Sequence, residues 1–187
     1  ALASKLYTTT DNNEIALDAK LDFGAKIVSH DKDTEDESRY VIEFSGKPTS
    51  IPEQAFFQKR TLQSITLPEG ITAINKGAFY YCSELTSVNL PSTLTALEYM
   101  AFNGCKKLNE ISLPNGLCRI GEHAFSDCGI ENIVIPGSVR EIEEGAFGSC
   151  FKLKSVTIEE GVEYISKSMF STCINLTDIT IPSTITS

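Results

Sequence analysis

Along most of this chain the apolar residues come in short alternating clusters, and the clusters return at a fixed interval. Phenylalanine stands at Phe56, Phe79, Phe102, Phe125, Phe147 and Phe170, at spacings of 23, 23, 23, 22 and 23 residues. Three residues after each of the last five comes a cysteine, at Cys82, Cys105, Cys128, Cys150 and Cys173. A leucine or isoleucine follows in the same register (Leu62, Leu85, Leu108, Ile130, Leu153, Leu176). An alternating triplet comes next, as in Ile65-Thr66-Leu67, Val88-Asn89-Leu90, Ile111-Ser112-Leu113 and Val156-Thr157-Ile158. Proline closes the triplet at Pro68, Pro91, Pro114, Pro136 and Pro182, with Glu159 as the exception. The short unit has lost its residue between Cys128 and Ile130, at what reads as a turn.

Each unit predicts the same elements. Period-two alternation is the mark of a half-buried strand, and proline ends it because it has no N–H for a ladder. A turn follows, as in Pro68-Glu69-Gly70 and Pro114-Asn115-Gly116. A second apolar pair, Ile71/Ile74 or Val162/Ile165, predicts another short strand. The Ala-Phe-x-x-Cys segment predicts one tight helical turn with Ala78, Phe79 and Cys82 on one face. A single unit cannot bury its inward side chains alone, so the units must stack into a solenoid. Coils about 4.8 Å apart would build a rod of roughly 25–30 Å.

The pattern Leu-x-x-Ile-x-Leu-Pro…Ile…Ala-Phe-x-x-Cys resembles the BspA-like class of leucine-rich repeats, found in surface proteins of anaerobic bacteria and some protists. The resemblance runs from about Ile51 to the C-terminus. Tyr7-Thr8-Thr9-Thr10-Asp11 and residues 23–28 are similar to the segment that precedes such repeats in Bacteroides-type members. It implies a right-handed superhelix of short β-strands and tight turns, a secreted or cell-surface location, and a binding or adhesive role with no catalytic residues. Residues 1–50 are expected to form a small β-rich N-terminal cap, with strands at Ile15-Ala16-Leu17 and Tyr40-Val41-Ile42-Glu43-Phe44. Residues 51–187 are expected to form five to six 23-residue units, the last incomplete and leaving an unpaired strand edge.

Composition narrows the function classes. The chain has 187 residues, 16 basic against 25 acidic side chains, and a formal charge of −9. Phosphate binding needs a basic stripe, so nucleic acid is excluded as a partner. No run approaches the ~18 apolar residues of a membrane span. Residues 1–5 show no charged region followed by a long apolar run, so no leader is expected there.

No cofactor or metal is expected. The 23-residue period does not cluster cysteines as zinc requires. Equivalent thiols on stacked coils lie about 4.8 Å apart at Cβ, beyond the ~3.8 Å of a disulfide. The five register cysteines therefore read as buried free thiols serving as small hydrophobes. Cys118 stands outside the register, and a nucleophile pair with His123 has no third orienting group. The acidic run at residues 31–37 lacks the glycine of a calcium loop and reads as a solvated turn.

Two surfaces remain as candidates for recognition. The outward residues of the first strand, Ser64, Thr66, Ser87, Asn89, Glu110, Ser112, Asn132, Ser155 and Thr157, with Val134, Asp178 and Thr180 in the same series, make a face rich in hydroxyl and amide groups. Such residues also suit a wet sheet face with no partner. Phe57, Tyr80, Tyr81 and Tyr99, with Phe151, lie outside the core register, and Phe57 and Tyr80 should stack along one edge. Exposed aromatics anchor interfaces, and they also shield coil edges. Arg140 should meet Glu163, and Glu144 should meet Lys167, across neighbouring coils. The sequence points first to a binding module for a protein or glycan, including a host extracellular protein. It points second to a structural spacer that self-associates through its C-terminal end. An enzyme comes third, since no acid–base pair, nucleophile or phosphate loop emerges.

Overall fold

A computed structural model describes residues 4–186. The expectation about a leader rests largely on residues 1–3, outside the described residues.

Among the described residues thirteen strands occur in order: β1 (Ser4–Thr9), β2 (Ile27–Lys32), β3 (Arg39–Phe44), β4 (Ser50–Ile51), β5 (Leu62–Thr66), β6 (Ala73–Ile74), β7 (Ser87–Asn89), β8 (Ala96–Leu97), β9 (Arg119–Ile120), β10 (Asn132–Ile135), β11 (Glu141–Ile142), β12 (Ser155–Ile158) and β13 (Asp178–Thr180). From β4 onward they form a β-solenoid of about six coils. The second strands of successive coils build one continuous parallel sheet, in the order β11-β9-β8-β6-β4. Register holds from coil to coil, with Ile51 beside Ile74, Ile74 beside Leu97, and Leu97 beside Ile120. In the fifth unit Val162 is buried, but no strand forms there.

The Ala-Phe-x-x-Cys corner corrects an expectation. Among the described residues there is no helix. Amides in the corner alternate between two kinds of acceptor. Ala55, Phe57 and Lys59 donate three residues back to Pro52, Gln54 and Phe56, whereas Gln54, Phe56 and Gln58 donate to Lys76, Ala78 and Tyr80 of the next coil. That alternation requires left-handed backbone at two places per coil. One column is Gln54, Gly77, Met100, His123, Gly145 and Ser168, and the other is Gln58, Tyr81, Gly104, Asp127, Ser149 and Thr172, all with φ between +53° and +77°. A continuing helix would turn every amide back into its own coil and leave the stack without corner bonds. Each non-glycine residue held this way costs about 1 kcal/mol or more, offset by the cross-coil hydrogen bonds.

Inside the corners the phenylalanines stack face to face. Ring centroids are 5.1, 4.9, 5.4 and 5.2 Å apart from Phe56 to Phe147, with planes within 10° of parallel. These five rings are fully buried, and burying such a side chain contributes about 1.5–3 kcal/mol. The cysteines do more than fill space. Cys82, Cys105, Cys128, Cys150 and Cys173 each donate Sγ–H to the carbonyl of Phe56, Phe79, Phe102, Phe125 and Phe147 in the preceding coil, at 3.0–3.2 Å.

The cap is an antiparallel sheet, β2-β3-β1, joined to the solenoid because β1 also pairs antiparallel with β5. Residues 40–44 lie in β3 as the alternation predicts. Residues 15–17 are not a strand, although Ile15 is buried, and β1 and β2 supply the other two strands. Within the acidic run, Asp33 accepts from the Glu35 amide and Asp36 from Ser38, while Asp36 also pairs with Arg39 at 2.9 Å.

Candidate binding groove

The first-strand face is built like the second, with one exception in the middle. β5 pairs with β7, and β10 pairs with β12 and then β13, but the third coil contributes no strand between β7 and β10. Residues 110–113 carry the same alternation as their neighbours, with Leu113 buried, Ile111 half-buried, and Glu110 and Ser112 exposed. Among the described residues, no backbone hydrogen bond ties residues 110–113 to β7 on one side or β10 on the other. On the β10 side one cross-coil bond remains just before the gap, from the Glu131 amide to the Asn109 carbonyl at 3.0 Å.

The interruption faces the coil that is one residue short. At the shortened corner Gly129 lies against the preceding coil, where a Cβ would stand 2.3 Å from the Lys106 carbonyl oxygen. A shorter corner cannot follow the path of its neighbour, and no backbone hydrogen bond joins residues 110–113 to β10, the strand that leaves it. The opposite sheet passes through the same coils without a break.

A groove of about 590 Å³ runs across the break and the coils on either side of it. Of the residues singled out from the sequence, Ser87, Asn89, Glu110, Ser112, Asn132, Ser155 and Thr157 line it, together with Val134. Ser64 and Thr66 line a smaller adjoining hollow with Thr8 and Arg39 of the cap, sharing Ser87 and Asn89 with the groove. Asp178 and Thr180 lie apart, on β13. On the flanks the polar side chains satisfy one another: Thr8 with Ser64 at 2.7 Å, Asn89 to Thr66 at 3.2 Å, and Ser155 to Asn132 at 2.7 Å. At the break, the side chains of Ser87, Glu110, Ser112 and Asn115 form no hydrogen bond with the described residues. Polar groups on facing walls are thus free for a ligand where the main chain is also unpaired.

Asn115 and Arg39 were not singled out from the sequence. Asn115 reads as a turn residue after Pro114, and Arg39 belongs to the cap, whose packing beside β5 has no signal in the repeat. The shortened unit was visible, but as a turn and not as the neighbour of a broken ladder.

The aromatic residues fall into two places. Phe57 and Tyr80 stack at 5.2 Å and 5°, and Tyr81 packs against Tyr80 at 4.6 Å. Tyr81 covers Gly104, where a Cβ would come within 2.9 Å of its ring, so part of this patch shields a coil corner. Tyr99 stands apart, with the Lys76 ammonium 5.6 Å from its ring centre.

Other candidates resolve into structure. Cys118 is exposed and its thiol meets the Gly116 carbonyl at 3.3 Å. His123 packs over Gly145 and faces Glu122. The expected pairs of Arg140 with Glu163 and Glu144 with Lys167 do not occur among the described residues. Arg140 instead donates to the carbonyls of Gly137 and Gly161 at 2.6 and 2.9 Å. The charged hub is Arg119, which meets Glu98, Glu141 and Glu143 at 3.5, 3.3 and 2.7 Å. A hollow among the cap loops is lined by Lys26 and by Glu14, Asp18, Asp22 and His30, the last four of which are engaged. Glu14 faces His30, Asp18 accepts from the Lys20 amide, and Asp22 from the Gly24 amide.

Comparison with known proteins agrees with this geometry. The pattern of the BspA type leucine rich repeat region matches in six copies over residues 37–108 and 72–187. A leucine-rich-repeat protein of T. pallidum is 33% identical, with a TM-score of 0.72 over 74% of this chain and 66% of its own. A leucine-rich-repeat protein of Bacteroides ovatus is 28% identical, with a TM-score of 0.61 over 74% of this chain and 42% of its own. The pneumococcal vaccine antigen PcpA shares the fold at 24% identity and a TM-score of 0.56, over 67% of this chain and 32% of its own. The chain thus spans less than two thirds of the length of these relatives. No curated protein matches it.

Proposed function

This chain belongs to the BspA-type leucine-rich-repeat proteins, and from that premise we propose that it is a non-catalytic recognition module, working at the cell surface or outside the cell and holding a protein or glycan on its first-strand face. The observation that carries this is the broken ladder at residues 110–113, with unpaired backbone and side-chain groups gathered in one groove.

The test is binding of the labelled chain to an array of extracellular-matrix proteins, mucins and glycans at physiological salt. Saturable binding that falls when Thr66, Asn89 and Ser112 become tryptophan supports a recognition module on this face. A folded sample that binds nothing overturns it.

One observation favours a second role, that of a self-associating spacer. Among the described residues β13 pairs with β12 alone and is exposed along its whole length, its Ile179 included, with Ile174 and Ile181 exposed beside it. An edge strand bordered by isoleucine can pair with another copy.

A further inference from the structure

We propose that the groove takes an extended peptide, which lies along residues 110–113 and pairs with them through its own main chain. The inference rests on the recognition role proposed above and names the ligand class.

Three features of the groove select a peptide over a glycan. Residues 110–113 keep the extended alternation of a strand while their backbone donors and acceptors lack ladder partners among the described residues. An extended chain repeats N–H and C=O groups at the spacing such a segment offers, and main-chain pairing of this kind supplies affinity while side-chain sockets supply selectivity. The walls contain no aromatic ring, so a sugar would have no flat apolar platform for its ring face. They do contain aliphatic sockets, with Ile111 half-buried and Val134 half-exposed, suited to small or branched side chains. Among the lining residues the single charge is Glu110, on a chain of net charge −9. A lysine or arginine of the peptide therefore belongs opposite Glu110, and the negative field of the chain favours its approach.

The occupant is thus an extended segment of about five residues, alternating small or β-branched side chains with polar ones and bearing one basic residue. The Asn89 and Asn132 amides flank it, each able to donate and accept.

The test uses the full chain and a phage library of random decapeptides. Panning is expected to enrich basic, β-branched peptides that compete with one another and are lost on Ser112→Trp. A synthetic hit N-methylated at alternate residues is expected to weaken at least about tenfold in one register and little in the other, because only one set of amides meets the groove. Bound peptide should also slow amide exchange at residues 110–113. Glu110→Gln should reduce affinity for the basic hit and spare a variant of that hit lacking its basic residue. Equal tolerance of N-methylation in both registers, or slowed exchange elsewhere only, overturns the proposal. Glycans or folded matrix proteins captured on this face with no peptide enriched would overturn the peptide and leave the recognition role standing. A folded chain that captures none of these would remove both.

Discussion

The register cysteines occupy a position that asks for two things, a small side chain and a donor. Each thiol reaches back to a phenylalanine carbonyl one coil earlier, so alanine there would lose packing and a bond together. Burial pushes the Cys82 thiol up to about 12 and raises Cys105, Cys150 and Cys173 as well. Since the thiolate is the reactive form, Ellman's reagent at pH 8 should titrate one thiol in the native chain, Cys118, and all six cysteines in guanidinium. Cys118→Ser should abolish the native signal, and rapid labelling of more than one thiol would contradict the buried ladder. His30 gives a second test at this scale. The Tyr7 hydroxyl accepts from the Ile15 amide at 3.0 Å and meets His30 Nε2 at 2.5 Å, which ties the half-buried imidazole to the core. Burial lowers the His30 pKa from its ordinary 6.5, against the opposing pull of Glu14 and Asp31. The unfolded chain therefore binds the proton more readily, and stability falls with acidification. The contribution is complete above about pH 6.5 and is lost as the pH drops from there through the lower folded value. Thermal melts from pH 7.5 to 5 should show this loss, and His30→Gln should flatten that part of the profile.

Between residues and coils, the corner decides what the strands can do. At the shortened corner, Gly129→Ala would put a methyl carbon 2.3 Å from the Lys106 carbonyl oxygen, a backbone atom that cannot swing away. A destabilisation of about 1–3 kcal/mol is expected, lowering Tm by roughly 3–10 °C. Gly46→Ala, with nothing within 4 Å of the new carbon, is the control and should melt close to the parent. Equal melting of the two variants would mean that coil contact at Gly129 does not constrain the corner. Much of the element layout was legible in the sequence, because burial every second residue and a recurring phenylalanine register can be read along the chain: β5, β7, β10, β12 and β13 fall on the alternating triplets. The corner geometry was not. Left-handed backbone at Gln54, Met100 or Ser149 has no side-chain signature, although Gly77, Gly145 and Gly104 in the same columns were a hint. Nor was the broken ladder legible, since Glu110-Ile111-Ser112-Leu113 reads as a strand and its pairing depends on how the next coil's corner runs.

In the whole molecule each coil touches only its neighbours, so stability is a sum of local contacts along one axis. At the cap end that sum is closed: β1 bonds antiparallel to β5, and Tyr7, Tyr40 and Phe44 are buried. β13 pairs with β12 alone among the described residues. Val156 and Ile158 are buried in β12, yet Ile179 and Ile181 at the same positions one coil on are 42% and 57% exposed. The groove and this edge therefore offer two different contacts, and they can be separated by variants. If the β13 edge draws copies of this chain together, sedimentation velocity should show a mass that grows with concentration. Ile179→Lys together with Ile181→Lys should return the chain to a monomer, because a charge pointing across an edge blocks strand pairing and removes the apolar gain. Ser112→Trp in the groove should leave that association unchanged. A chain that stays monomeric at every concentration would remove the spacer role, whereas association lost on Ser112→Trp and kept in the isoleucine variant would place the self-contact in the groove instead.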